Sequence, residues 1–155
     1  MESKFRVVNG DLLSYDADIL AHQVNCGGVM GSGLAKQVRA QYPLLYDTYH
    51  GICNNFADKK EEILGTVYYY QTAHGPIIAN IFGQKDFGWG KRFTDYTALR
   101  QGLKYVQETA ELNNFTVAVP YNLGCGRGGG DWNIVYGILC DIFEPDMLTI
   151  VKYQK

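Results

Sequence analysis

The segment Val24-Asn25-Cys26-Gly27-Gly28-Val29-Met30-Gly31-Ser32-Gly33-Leu34-Ala35-Lys36 constrains the fold more than any other. An apolar strand runs into it, four glycines fill its middle, and a helical pattern leaves it. Such a turn points backbone N–H groups outward with no Cβ in the way. The helix start adds about half a positive charge, which suits phosphate. From Gly28 to Gly33 the spacing fits a nucleotide-triphosphatase loop, but Leu34 stands where the phosphate-gripping lysine belongs. From Gly31 the dinucleotide fingerprint also fails, because Lys36 takes the third glycine position. The loop reads as a seat for phosphate or diphosphate without triphosphatase machinery; the alternative is a tight structural turn.

The 155 residues suffice for one domain, 1–155, with a real core. Phe5-Arg6-Val7-Val8 reads as a strand ended by Asn9-Gly10, and Asp18 to Asn25 as a second strand. Period two puts Leu20, His22 and Val24 on one face, and Ile19, Ala21, Gln23 and Asn25 on the other. Leu34 and Val38 share a helical face, and Pro43 suits the first turn of a helix carrying Leu45, Tyr49, Ile52, Cys53 and Phe56. Lys59-Lys60-Glu61-Glu62 reads as a solvated turn. Strands at Thr66–Tyr70 and Pro76–Phe82 precede a helix that Thr94 is expected to cap, with Tyr96, Leu99, Leu103, Val106 and Ala110 inward. Phe115–Val119 is a buried-type strand, Asp131 caps a last helix, and Met147–Tyr153 closes the chain. Alternating strands and helices predict an α/β fold, a three-layer α/β/α sandwich on a central mixed sheet.

A second glycine loop, Tyr121 to Gly130, also leaves a buried strand toward a helix. Gly124, Gly126 and Gly129 match the dinucleotide fingerprint, with Glu144 the expected distance downstream. The unit lies at the end of the chain, no second half follows, and Asp131 would repel a pyrophosphate placed there. The two loops taken together give a better account. Ligands of open α/β sheets sit beyond the carboxyl ends of the strands, where two such loops can grip a diphosphate from both sides without a metal.

Asn9-Gly10-Asp11-Leu12-Leu13, the segment Val24 to Ala35, and Leu123-Gly124-Cys125-Gly126, in that order, resemble the macrodomain, an ADP-ribose-binding fold. Within that family the chain looks most like the branch holding the terminal ADP-ribose glycohydrolase and the antitoxins that remove ADP-ribose from DNA. The resemblance implies Asp11, with Leu12, at the adenine amine and Asn25 near the distal ribose. It further implies a diphosphate held by Val29, Met30, Gly31, Ser32, Gly33 and Leu34 on one side and by Leu123, Gly124, Cys125, Gly126 and Arg127 on the other. It also singles out Lys85, in Phe82-Gly83-Gln84-Lys85, as a catalytic lysine alongside Asn25. The assisting aspartate of the glycohydrolase is missing here; Arg127-Gly128-Gly129-Gly130 takes its place, and Asp131 is a candidate stand-in that reads first as a helix cap.

The chemistry supports a lysine on its own terms, since an uncharged amine attacks the latent aldehyde of the distal ribose. The lysine pKa of about 10.4 must then fall. Cover by Phe87 and Trp89, or the nearby Lys91 and Arg92, is expected to lower it. The loop from Gln84 to Arg92 is expected to close over the ribose. His22 to Cys26 also resembles a phosphatase for ADP-ribose-1''-phosphate, though a hydrogen-bonded structural role suits His22 better. Three functions follow: an ADP-ribosyl hydrolase, a non-catalytic ADP-ribose reader, and that phosphatase. The hydrolase comes first.

A net charge of −2, with 19% charged and 46% hydrophobic residues, offers no polybasic face for tight nucleic-acid binding. The expected partner is thus ADP-ribose, free or on a protein or nucleic acid, without stable nucleic-acid binding from charge. No apolar run reaches membrane length. Cys26, Cys53, Cys125 and Cys140 are scattered, which argues for reduced thiols in the cytoplasm and against a zinc cage. No cofactor and no metal are expected. Cys26 and Cys125 read as small fillers, and Tyr153 or another aromatic as a stacking partner for adenine.

Overall fold

The computed structural model describes residues 3–154. Six strands form one sheet in the order β1-β6-β5-β2-β4-β3. They are β1 (Arg6–Gly10), β2 (Ile19–Asn25), β3 (Val67–Gln71), β4 (Ile77–Gln84), β5 (Val117–Pro120) and β6 (Leu148–Tyr153). All neighbours run parallel except β3, which pairs antiparallel with β4 and makes the sheet mixed. Four helices cover it: α1 (Gly33–Gln41), α2 (Pro43–Asn55), α3 (Tyr96–Asn113) and α4 (Trp132–Ile142).

The period-two pattern of the strands sorts their side chains into two cores. Ile19, Ala21, Ala79, Ile81, Val117 and Val119 meet Leu99, Leu103 and Val106 of α3 and Val135 and Leu139 of α4. Leu20, Val24, Ile78, Phe82 and Ala118 meet Val38, Leu45, Tyr49 and Cys53 of α1 and α2. The expected three-layer sandwich is the observed one. Each layer buries its apolar stripe against the sheet, at about 25 cal/mol per Å² of apolar surface removed from water.

Two local expectations are corrected. Asn9 and Gly10 do not end β1 but pair with Lys152 and Tyr153, because β6 continues alongside them. The cap of α3 is Asp95, whose carboxylate accepts from the Ala98 N–H at 3.0 Å. Thr94 is held away from that role because its hydroxyl donates to the Gly124 carbonyl at 2.6 Å. Asp131 does cap α4, accepting from the Asn133 N–H at 2.9 Å. Because β1, β6, β5, β2 and β4 are parallel, the loops after Gly10, Pro120, Asn25 and Gln84 all emerge at one rim.

Candidate functional site

At that rim lies a cleft of about 610 Å³ between the two glycine loops. One wall is Val29 and Gly31 to Ala35; the facing wall is Leu123, Gly124 and Gly126 to Gly128. His22 to Asn25 and Gln84 form the floor, and Phe87 to Trp89 lie at the mouth. No Asp or Glu lines it.

The first wall is shaped by Asn25. Its Oδ1 accepts from the N–H groups of Gly27 at 3.0 Å and Val29 at 3.3 Å, and its Nδ2 donates to the Val29 carbonyl at 2.8 Å. Tyr49, fully buried on α2, donates its hydroxyl to Asn25 at both the carbonyl (2.7 Å) and Oδ1 (2.9 Å). The Asn25 amide therefore reaches the α2 side rather than the face of Gln23. The register shift after Val24 explains this: Val24 pairs with Phe82 but Asn25 with Gln84, so Gly83 is an extra residue. Farther along, Gly28 has φ +81°, a left-handed conformation, and its carbonyl accepts from the Tyr46 hydroxyl at 3.2 Å. His50 Nδ1 lies 3.1 Å from the same carbonyl, a partner the sequence does not reveal.

Beyond Met30 the wall becomes the N-terminus of α1. Ser32 supplies no side-chain cap and no acidic residue stands in the first turn. The first N–H groups of the helix have no partner within it, so they and the helix dipole face the cleft. The starts of α3 and α4 are satisfied by Asp95 and Asp131, while α2, whose cap position is Tyr42, opens on Pro43, which has no N–H to satisfy.

A polar network fixes the second wall. Gln23 Nε2 donates to Gln84 Oε1 (2.7 Å) and to the Thr94 hydroxyl (2.9 Å), and Thr94 donates on to the Gly124 carbonyl. Gln23 Oε1 is buried with no partner among the described residues. The Gly128 carbonyl accepts from the Phe93 and Thr94 N–H groups at 2.7 and 2.9 Å. Gly129 has φ +71°, and a Cβ there would lie 2.6 Å from the Lys91 carbonyl oxygen, so only glycine fits.

His22 is buried on the floor with Nε2 2.6 Å from Asn80 Oδ1. Burial pushes its pKa down to about 4, partly opposed by that hydrogen bond, so the ring is neutral at pH 7. Burial likewise pushes the Cys26 thiol up to about 12 and the Cys125 thiol up to about 11, leaving both as unreactive thiols.

Of the sequence-selected residues, Asn25, Val29, Gly31 to Leu34, Leu123, Gly124, Gly126 and Arg127 line the cleft. Asp11, Leu12, Met30, Cys125, Tyr153 and Lys85 are not among the lining residues. Asp11 sits just past β1 and accepts from the Leu13 N–H at 3.0 Å, while Leu12 and Met30 are buried in the α1/α2 core. Asp131 is spent as the cap of α4.

The expected environment of Lys85 is corrected. Phe87 and Trp89 do not cover it: Phe87 lies against Gly27, and Trp89 lies under the Arg127 guanidinium. The Lys85 side chain is 44% exposed and its Nζ pairs with Glu61 Oε1 at 2.5 Å. The hydrogen bond to Glu61, and the carboxylate charge with it, raise the amine pKa instead of lowering it. The turn holding Glu61 looked merely solvated in sequence. The same turn also carries Lys60, which pairs with Asp86 at 3.1 Å. Tyr49 was equally hidden, its helical spacing marking it as core; its hydroxyl was the available signal, since a buried Tyr O–H needs a partner.

No family model matches the sequence. The macrodomain of Mycobacterium tuberculosis DarG superposes with a TM-score of 0.78 at 30% identity, over 97% of this chain and 99% of that one. The DNA ADP-ribosyl glycohydrolase of Mycobacterium tuberculosis is 34% identical over 149 residues, covering 92% of this chain and 40% of the relative. The chain thus spans less than half the length of that curated relative. An uncharacterised 17.5 kDa protein of Enterobacteria phage T4 is 30% identical over 155 residues, matching 96% of each chain.

Proposed function

The chain belongs to the macrodomain family, in the branch of the DarG macrodomains, and on that premise we propose that it is an ADP-ribosyl hydrolase. Its substrate in this reading is ADP-ribose joined through the distal ribose to a macromolecule, with a DNA base as the attachment point. The DNA ADP-ribosyl glycohydrolases at 34% identity support that choice. The observation that carries the reading is the pair of glycine turns facing one another across a carboxylate-free cleft, one of them ending in an uncapped helix. That cradle of main-chain N–H groups suits a diphosphate and asks for no metal. Four free cysteines accord with a cytoplasmic setting.

In this reading Asn25 shapes the turn beside the distal ribose and Lys85 is the nucleophile. Lys85 follows Gln84 of the cleft floor, and its carbonyl accepts from the Cys26 N–H at 3.3 Å. In the free protein the amine is held as a cation by Glu61. To react it swings from Glu61 and gives up its proton to solvent. The Nζ lone pair then forms a bond to the anomeric carbon as the bond to the macromolecule breaks, the leaving atom keeping the electron pair. Water displaces the amine and yields ADP-ribose.

A phosphatase built on His22 is disfavoured, because a buried, neutral ring bound to Asn80 is a poor acid at pH 7. The test is a panel of ADP-ribosylated DNA and protein incubated with wild type and Lys85→Ala, with calorimetry for ADP-ribose alongside. Release from DNA by wild type and not by the variant supports the reading. Binding without release leaves a reader, and absence of binding at hundreds of micromolar overturns both.

A further inference from the structure

Beside the cleft mouth runs a second groove of about 440 Å³, lined by Gly88, Trp89, Gly90, Lys91, Arg92, Gly126, Arg127 and Gly129. It shares Gly88, Trp89, Gly126 and Arg127 with the main cleft, so the two are continuous. Three of its side chains are cations and none is an acid, in a chain whose net charge is −2. Each cation leans on an aromatic ring: Arg127 on Trp89 at 3.0 Å, Lys91 on Phe93 at 5.0 Å and Arg92 on Tyr96 at 4.7 Å. These contacts hold the charges at the surface without neutralising them. No salt bridge engages any of the three among the described residues. Trp89 stays 75% exposed, with Arg127 over one face of the indole.

We propose that this groove holds the sugar–phosphate backbone of a single DNA strand on either side of the modified base, with Trp89 stacking on a neighbouring base. The inference rests on the hydrolase reading above and names the part of the substrate beyond the ADP-ribose. A row of unpaired cations fits phosphodiesters, and a large exposed indole beside them fits an unstacked base, which a duplex does not offer. An acidic peptide would meet the same charges but gives the indole no flat partner. The low net charge of the chain limits the contact to a few phosphates, so binding is weak and confined to this rim.

The test uses an unmodified single-stranded 12-mer of DNA and the full chain, with wild type and the double variant Lys91→Glu/Arg92→Glu. Both residues are exposed and neither lines the main cleft. Wild type is expected to bind weakly, with affinity falling as salt rises. The variant is expected to lose at least tenfold in affinity and about 1.4 from the slope of log K against log salt, for two phosphates at about 0.7 each. Circular dichroism and calorimetry with ADP-ribose, both expected to be unchanged in the variant, show that fold and main cleft are intact. Wild type that fails to bind the strand, or a variant that binds it equally well, overturns the groove. Loss of ADP-ribose binding in wild type would instead strike the hydrolase reading.

Discussion

Lys85 Nζ sits 2.5 Å from Glu61 Oε1, joining the segment after β4 to a turn that precedes β3. Lys60 and Asp86 make a second, crossed pair across the same two segments. The amine that the proposed mechanism needs neutral is therefore stored as its charged form.

This makes the pH–rate profile diagnostic. Glu61 raises the Lys85 pKa, so an activity that needs the neutral amine rises toward alkaline pH. In Glu61→Gln that raising influence is gone, and the rising limb is expected to move to lower pH. A profile that stays in place, measured by release of ADP-ribose from DNA, would show that Glu61 does not govern the amine. Lys85→Ala is expected to lower the rate by roughly 10²-fold or more while ADP-ribose affinity stays within threefold.

Ser32 offers a test of where the diphosphate lies. In Ser32→Asp a carboxylate would cap α1 and meet its dipole, adding about 0.5 kcal/mol to stability. The same charge would repel a diphosphate at that spot. Thermal unfolding is expected to shift up while calorimetric affinity for ADP-ribose falls at least tenfold. Affinity that holds steady would place the diphosphate elsewhere.

Tyr49 and Asn25 form one unit. Tyr49→Phe removes the hydroxyl that meets both oxygens of Asn25, at an expected cost of about 1–2 kcal/mol in urea unfolding. The glycine turn loses its fixed shape as well, so ADP-ribose affinity is expected to fall. A variant with unchanged stability and affinity would show that Asn25 needs no support.

His22 sets an acid limit. The ring is neutral when folded, with its pKa lowered from 6.5 to about 4. Protons therefore favour the unfolded chain below pH 6.5. The stability tied to this group is full above that pH and is lost as pH falls toward 4, by about 3 kcal/mol in all. In His22→Gln the difference in unfolding free energy between pH 7 and pH 4 is expected to shrink by that amount.

The layers and both glycine turns could be read from the chain because each rests on a local signal: alternation in β2, helical spacing in α3, and glycines at strand ends. Asp131 announced itself as a cap for the same reason. What escaped were contacts between distant segments. The bulge at Gly83 carries Asn25 toward Tyr49, and nothing near either residue marks it. Thr94 and Asp95 are adjacent and both are good caps; the choice fell to Gly124, thirty positions away, which claims the Thr94 hydroxyl. Lys85 looked set for an apolar cover because two aromatics follow it, but each ring is engaged elsewhere.

One carbonyl, that of Gly128, takes the N–H groups of both Phe93 and Thr94. It makes a single jaw from segments far apart along the backbone, carrying the basic groove and the second glycine wall of the cleft together. If a DNA strand lies in the groove as proposed, its pull would tug the second glycine wall with it, and grip at one end of the substrate would be felt at the other.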